Sequence, residues 1–195
     1  MLQSNSTSVL DAMLAWLRDL ALRVLSTLGL YSKNATVVLL GLDNSGKSTL
    51  LHRLSQGQVT ALQPTERPHI DEFQLGGISF KAWDLGGHEA VRYLWFDFLA
   101  DSHAIVFMID GADEERLDEA HWELTEMLND VTLEGVPVAV LYNKSDLPRA
   151  VPDEKLQRML NIGELEAKRP IRTFRTSVIK GEGYPDAFRW LGHQL

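Results

Sequence analysis

A glycine-rich segment of nine residues, GLDNSGKST at 41–49, lies directly between the apolar run ATVVLLG, 35–41, and a stretch with helical spacing. Glycines at 41 and 46 allow a tight turn that points successive backbone N–H groups at one place. The N-terminus of the following helix adds partial positive charge there. The segment therefore predicts a strand, an anion-binding loop and a helix, which is the P-loop unit of an α/β domain.

The rest of the chain continues this alternation of short apolar runs and helical stretches. Gly76-Gly77 separates two strand patterns and predicts a hairpin, which adds one antiparallel strand. The fold class predicted is α/β, with a doubly wound, mostly parallel six-stranded sheet. The predicted strands are 35–41, 69–75, 78–85, 104–110, 136–144 and 171–177, and the predicted helices are about 47–56, 89–100, 114–130, 153–160 and 184–194.

Residues 1–32 form a separate segment, whose run from Val9 to Tyr31 has one apolar face and one charged face at helical spacing. Its charges disfavour a transmembrane span, and the absence of a basic n-region disfavours a signal peptide. Two interpretations remain open: a helix packed on the domain's own core, or one lying in a membrane interface. We expect an amphipathic membrane-binding segment at 1–32 and one globular domain at 33–195.

The composition excludes some classes of binding partner and some covalent modifications. The net charge of −8 argues against nucleic acid as a partner, because that binding depends on Lys and Arg neutralising phosphates. The chain has no cysteine, which excludes disulfides, thiolate metal sites, prenylation and palmitoylation. Leu2 is incompatible with N-myristoylation, which needs glycine at that position. We therefore expect any membrane attachment to come from the polypeptide itself.

Two side chains of the glycine-rich segment indicate a nucleoside triphosphate. Lys47 supplies a mobile cation for β- and γ-phosphates, and Ser48 supplies a hydroxyl for Mg²⁺. The base is indicated by NKSD, which follows the strand at 136–144. A carboxylate at Asp146 accepts hydrogen bonds from the N1–H and the 2-amino group of guanine, whereas beside adenine it would stay unpaired. Asn143 can bridge the loop and the base, and the Lys144 stem can cover the purine. This favours GTP or GDP over the ligand of an ATP-dependent P-loop kinase.

The stretch WDLGGHE, 83–89, predicts the part of the site that meets the third phosphate. Asp84 at a strand end would hold Mg²⁺ through water, and Gly86 and Gly87 would let the backbone approach a γ-phosphate. Thr65, in a Pro-flanked loop, could reach the metal only when that phosphate is present. Such an arrangement is a switch, because hydrolysis would release both loops. His88 alone could be an ordinary exposed side chain, a catalyst or a metal ligand; hard Mg²⁺ prefers oxygen, which disfavours the last.

These motifs resemble the small GTPases of the ADP-ribosylation-factor superfamily, and the resemblance covers nearly the whole chain. The segments that carry it are GLYSK, GLDNSGKSTLLHRL, PTERP, DLGGHEAVRYLWFDFL, IVFMIDGADEERLDEA, NKSD and TSVIKGEGYPDAFRWL. The histidine of DLGGHE and the closing GYPDAFRWL are similar to the secretion-associated Ras-related (SAR-type) branch, which starts assembly of coat protein complex II.

The resemblance implies roles for individual residues. His88 would orient the attacking water. Mg²⁺ contacts are implied for Asp43, Ser48, Thr65 and Asp84. Nucleotide contacts are implied for Asn44, Ser45, Gly46, Lys47, Ser48, Thr49, Gly87, Asn143, Lys144, Asp146, Ser177, Val178 and Ile179.

The resemblance also implies a biological setting. We expect a Mg²⁺-dependent GTPase, slow without an activating protein, that cycles between cytosol and the cytosolic face of the endoplasmic reticulum, with the Golgi as a further location, and recruits the coat for ER-to-Golgi transport. Its implied partners are membrane lipid, a guanine-nucleotide exchange factor and a GTPase-activating inner-coat subunit. Two alternatives stay open: an ADP-ribosylation-factor-like GTPase at another membrane, and a non-hydrolysing, guanine-nucleotide-dependent binding module.

Overall fold

The computed structural model describes residues 33–59, 65, 67–75, 77–160, 163, 165 and 169–195. The predicted amphipathic segment 1–32 lies outside the described residues, and so does Gly76 of the predicted hairpin. None of the helices described is both long enough and apolar enough to cross a membrane.

Six strands form one sheet in the order β2-β3-β1-β4-β5-β6. Only β2 runs antiparallel, against β3, and every other pairing is parallel. The sheet confirms the predicted fold class. The strands are β1 (Lys33–Leu40), β2 (His69–Leu75), β3 (Ile78–Asp84), β4 (Ala104–Asp110), β5 (Val138–Asn143) and β6 (Ile171–Arg175).

Among the described residues, five α-helices connect or flank these strands. The predicted helices at 89–100 and 114–130 each begin as a 3-10 helix, at Glu89–Leu94 and Glu114–Arg116, before the α-helix starts. Such tighter turns are common at helix N-termini and change which side chains face inward. The α-helices are α1 (Lys47–Gln56), α2 (Trp95–Leu99), α3 (Leu117–Leu128), α4 (Asp153–Met159) and α5 (Tyr184–Gln194).

Hydrophobic cores lie on both faces of the sheet. Alternate residues of β1 point to opposite faces, so Val38 belongs to the core beneath α2, α3 and α4, and Val37 to the core beneath α1 and α5. Burial on both faces explains the continuous apolar runs of β1, β4 and β5. Because five of the strands run parallel, their carboxyl ends meet at one edge of the sheet, which is where open α/β sheets bind ligands.

Candidate functional site

The glycine-rich loop wraps around a buried lysine. Gly46 has φ 102 and caps α1 in the left-handed region, and a Cβ at Gly46 would lie 2.4 Å from Asn143 Nδ2, so only glycine fits here. Lys47 is 5% exposed, and its Nζ donates to the carbonyls of Gly41 and Leu42 at 2.8 Å each. Burial lowers the pKa of Lys47 to about 8. An anion in the loop would compensate this desolvated charge.

Three oxygen-bearing side chains meet beside this lysine. Ser48 Oγ and Thr65 Oγ1 are 2.7 Å apart, and Thr65 Oγ1 donates to Asp84 Oδ2 at 3.1 Å. Asp84 is buried, and its Oδ1 has no hydrogen-bond partner among the described residues. An unpartnered buried carboxylate oxygen beside two hydroxyls fits Mg²⁺, which prefers hard oxygen ligands.

Asp43, a further predicted Mg²⁺ contact, has one carboxylate oxygen occupied by an arginine. Its Oδ1 accepts from Arg116 Nη2 at 3.0 Å. Burial opposes ionisation of Asp43, but the hydrogen bond and positive charge of Arg116 outweigh burial and lower its pKa. The described residues contain no group of three His, Cys, Asp or Glu side chains that could hold a metal ion. Hydroxyl groups, water and substrate oxygens would therefore complete a Mg²⁺ shell here.

The glycine-rich loop, Thr65 and the loop after β3 enclose one open cavity of about 250 Å³. His88 is exposed and lines it, at the residue that precedes the 3-10 helix Glu89–Leu94. Ten predicted site residues line this cavity: Asp43, Asn44, Gly46, Lys47, Ser48, Thr49, Thr65, Gly87, His88 and Lys144.

The remaining predicted residues join the glycine-rich loop to the loop after β6. Asn143 is buried; its Nδ2 donates to the Ser45 carbonyl at 2.8 Å, and its Oδ1 accepts from the Val178 N–H at 3.1 Å. Asn143 therefore fixes the distance between the two loops. Ile179 follows Val178 and leaves most of its side chain exposed.

Beyond Asn143 the chain turns sharply and presents a carboxylate. Lys144 has φ 62, and its Nζ donates to Asp110 Oδ2 at 2.7 Å. Ser177 Oγ donates to Asp146 Oδ1 at 2.6 Å, and this hydrogen bond holds the pKa of Asp146 below its usual value. An ionised carboxylate can accept hydrogen bonds from two donors, as the predicted recognition of guanine by Asp146 requires.

Sequence reasoning missed Arg53 on α1. Its Nη1 donates to the carbonyls of Val178 and Ile179 at 2.7 and 2.8 Å, and its Nε donates to the Tyr184 hydroxyl at 2.9 Å. The helix that starts at the glycine-rich loop thus also holds the loop after β6. No local pattern reveals this, because the partners are 125 and 126 residues away along the chain.

Sequence reasoning also missed Arg92 and Trp95, which bind the loop after β3. Arg92 Nε donates to the Gly87 carbonyl at 2.8 Å, and Trp95 Nε1 donates to the Gly86 carbonyl at 2.9 Å. Both side chains are buried. Their place a few residues after the glycine pair was the available signal.

The chain as a whole is also similar to known proteins. The model of the ADP-ribosylation factor family matches residues 21–195. The small COPII coat GTPase SAR1 of Giardia intestinalis is 41% identical over 181 residues, covering 88% of this chain and 95% of that protein. The ADP-ribosylation factor-like protein 1 of Caenorhabditis elegans is 35% identical over 164 residues, covering 84% of this chain and 91% of that protein.

The chain belongs to the ADP-ribosylation factor family. A solved structure agrees: the Arl6 BBS3 small GTPase from Trypanosoma brucei, with bound nucleotide analogue GppNp, has a TM-score of 0.75 and 28% identity, covering 83% of this chain and 96% of that one. The protein is therefore a small GTPase that binds guanine nucleotide, hydrolyses GTP and acts as a switch. Family membership confirms the predicted preference for a guanine nucleotide over ATP.

Proposed function

We propose that this GTPase is the SAR-type switch that recruits the coat protein complex II vesicle coat to the endoplasmic reticulum membrane. The observation that carries the proposal is the 41% identity to the Giardia COPII coat GTPase, which extends over 95% of that protein. The protein would cycle between cytosol and the cytosolic face of that membrane, with the Golgi as a further location. An exchange factor would load GTP, and an inner-coat subunit would stimulate hydrolysis.

In the proposed site, charge neutralisation and positioning lower the barrier to phosphoryl transfer. Lys47 faces the β- and γ-phosphates from the glycine-rich loop. Ser48, Thr65, Asp84 and Asp43 would hold Mg²⁺, and the ion would offset the negative charge that develops on the phosphate oxygens. The contact between Ser48 and Thr65 supports this assignment, because it brings a loop threonine to the oxygen cluster.

His88 orients the attacking water in this proposal. The water oxygen bonds to the γ-phosphorus, and the bond from that phosphorus to the bridging oxygen of GDP breaks. One water proton passes to a phosphate oxygen and the other stays on the attacking oxygen, so both leave with inorganic phosphate. His88 lines the same cavity as Lys47 and Thr65, which supports its role. With little covalent chemistry for the protein to perform, the isolated GTPase is slow until a partner adds a further cation such as an arginine.

Asn143, Lys144 and Asp146 select the base, together with the loop Ser177-Val178-Ile179. The carboxylate of Asp146 accepts from guanine N1–H and the 2-amino group, and the Lys144 stem covers the purine. Of this loop's backbone N–H groups, that of Ile179 would meet the guanine O6, because those of Ser177 and Val178 donate to Glu182 and Asn143. Asn143 supports the selection by tying this loop to the glycine-rich loop.

Phosphate release from GTP and from ATP, each with and without liposomes, tests the enzymatic part. We expect phosphate to be released from GTP and not from ATP. The Asp146→Asn variant should then bind xanthine nucleotides better and GTP worse, because an amide can donate to the xanthine 2-oxo group. A variant that still prefers GTP would contradict the base assignment.

The coat proposal needs its own experiment, because factor-like relatives are also similar: the Caenorhabditis protein is 35% identical. A liposome assay with purified coat protein complex II inner-coat subunits should show their recruitment in the presence of this GTPase and a non-hydrolysable GTP analogue, and none with GDP. GTP-dependent binding of the GTPase to liposomes without recruitment of these subunits would favour the second candidate, a factor-like GTPase at another membrane.

A further inference from the structure

Two buried side chains hold the two consecutive peptide groups on either side of Gly87. Trp95 Nε1 donates to the carbonyl of Gly86, which belongs to the Gly86–Gly87 peptide group. Arg92 Nε donates to the carbonyl of Gly87, which belongs to the next peptide group. A peptide group is planar, so fixing its carbonyl also fixes the direction of its N–H.

The bond from Trp95 therefore determines where the Gly87 N–H points. The Gly86–Gly87 peptide bond is trans, so the N–H points away from the carbonyl and hence away from the indole. Gly87 is buried and lines the nucleotide cavity, and its N–H has no acceptor among the described residues. A buried N–H without a partner is costly, which indicates that a ligand atom completes it.

Gly87 also lies directly against the glycine-rich loop. A Cβ at Gly87 would be 2.3 Å from the backbone nitrogen of Asp43 and 2.5 Å from the carbonyl oxygen of Gly41. The backbone of the loop after β3 therefore approaches the phosphate-binding backbone closely. The two backbone segments thus border the same cavity side by side.

The arginine is itself held by α3. Arg92 is 7% exposed and donates to Glu119 Oε1 at 2.7 Å and to Glu123 Oε1 at 2.6 Å. Glu119 also accepts from Arg116, which pairs with Asp43 of the glycine-rich loop. The ion pairs link both sides of the cavity through one rigid helix.

We propose that Trp95 and Arg92 are positioning residues that aim the Gly87 N–H at the γ-phosphate of GTP. Neither side chain touches the nucleotide; each acts on a peptide carbonyl. Such residues should raise the affinity for GTP, which has the third phosphate, and leave the affinity for GDP unchanged. The inference rests on the proposed function, in which Gly87 approaches that phosphate.

The test compares affinities for GDP and for a non-hydrolysable GTP analogue in the Trp95→Phe variant. Phenylalanine keeps the edge-on contact with Phe107 but lacks the N–H donor. We expect affinity for the analogue to fall about tenfold and affinity for GDP to stay unchanged, as for one hydrogen bond made to a charged group. Trp190→Phe is the matched control, because Trp190 lies on α5 against Phe174, away from the cavity; its affinity ratio should not change.

The Gly87 amide gives a direct readout. In protein labelled with ¹⁵N-glycine, exchange of GDP for the analogue should shift the Gly87 amide signal strongly in the wild type and in Trp190→Phe, and weakly in Trp95→Phe. Equal loss of affinity for both nucleotides, or an unchanged ratio, would overturn the proposal, since the indole would then serve packing alone.

A second variant keeps the test informative if Trp95→Phe does not fold. Arg92→Lys retains the charge beside Glu119 and Glu123 but loses the planar guanidinium that binds the Gly87 carbonyl. It should show the same selective loss of affinity for the analogue. Phosphate release by the wild-type protein, measured in parallel, tests the proposed function separately. If the wild type hydrolyses GTP but the variants show no selective loss of affinity for the analogue, only this inference is contradicted.

Discussion

His88 occupies the start of a helix without capping it. Its side chain makes no hydrogen bond to the backbone of the 3-10 helix Glu89–Leu94, and it is exposed at the cavity. Removing the imidazole therefore costs the helix no capping hydrogen bond. This separates an effect on catalysis from an effect on folding.

We expect His88→Gly to leave GTP binding nearly unchanged and to slow hydrolysis stimulated by an activating protein by about a hundredfold, as for loss of a group that positions or accepts a proton. A single-turnover assay measures the rate. His88→Gln is the matched variant, because its amide can still hydrogen-bond to water, and it should retain more activity than His88→Gly. An unchanged stimulated rate in His88→Gly would reject the role.

Lys47 gives the site a pH dependence. Burial lowers its pKa to about 8, below that of an exposed lysine, so part of the population loses the charge at pH 8. The free energy of unfolding of the nucleotide-free protein should consequently rise as pH increases above 8, because there the unfolded chain binds more protons than the folded one. Nucleotide phosphates favour the charged form and should raise this pKa again.

GDP binding at pH 8 should therefore take up protons. Calorimetry in two buffers of different ionisation enthalpy measures the uptake. Lys47→Arg is the control, because a guanidinium stays protonated at this pH and should show little uptake. Uptake of equal size in both proteins would assign the proton to another group.

At the scale of elements, α1 contacts both ends of the site. Its first residue is Lys47 of the glycine-rich loop, and Arg53 near its end holds the carbonyls of Val178 and Ile179. A rigid helix of ten residues thus fixes the separation of the phosphate end from the base end. The same helix packs its Leu50 and Leu51 into the core with α5.

Replacing Arg53 by Gln should speed GDP release about tenfold, because the two carbonyls lose charged donors and the base loop loosens. GTP analogues should dissociate faster by the same factor, since the base is common to both nucleotides. Release of a fluorescent nucleotide measures the rates. Arg189→Gln is the control: Arg189 lies on α5 and pairs with exposed Asp186, so its release rates should match the wild type. Unchanged release in Arg53→Gln would show that the contact is dispensable.

At the scale of the whole molecule, we propose that attachment to a membrane depends on residues 1–32. The described residues offer no helix that could span a bilayer. The chain carries a net charge of −8 and the charged face of this segment is neutral overall, so attraction to anionic lipid is not the expected driving force. The expected driving force is burial of leucine, methionine and Trp16 side chains in the membrane interface.

We expect the full chain to sediment with liposomes when bound to a non-hydrolysable GTP analogue and to stay in solution with GDP. Replacing Leu17 and Leu20 by Ser should abolish sedimentation without changing nucleotide affinity. Because the hydrophobic contribution dominates, added salt should weaken sedimentation little. Equal sedimentation with both nucleotides would leave the alternative of a helix packed on the domain's core.

The sequence was sufficient for the sheet and for the chemical groups of the site. Apolar runs buried on both faces, the hairpin glycines and the loop at 41–49 are local patterns, and local patterns specify strands, turns and an anion-binding loop. One predicted strand is shorter in the structure than in the prediction. The strand predicted at 136–144 begins at Val138 as β5, because Pro137 has no N–H to donate to the sheet. The helix predicted at about 89–100 begins as a 3-10 helix at Glu89–Leu94.

Only the tertiary structure decided how these groups are held. The bond from Arg53 to Val178 spans 125 residues, and the ion pair of Asp43 with Arg116 spans 73. Neither partner is marked by spacing or composition, because a long side chain on a helix surface meets whatever the fold places beside it. The sequence thus determined which chemical groups the candidate site contains, and the packing of α1 and α3 against the sheet decided which further side chains hold those groups in place.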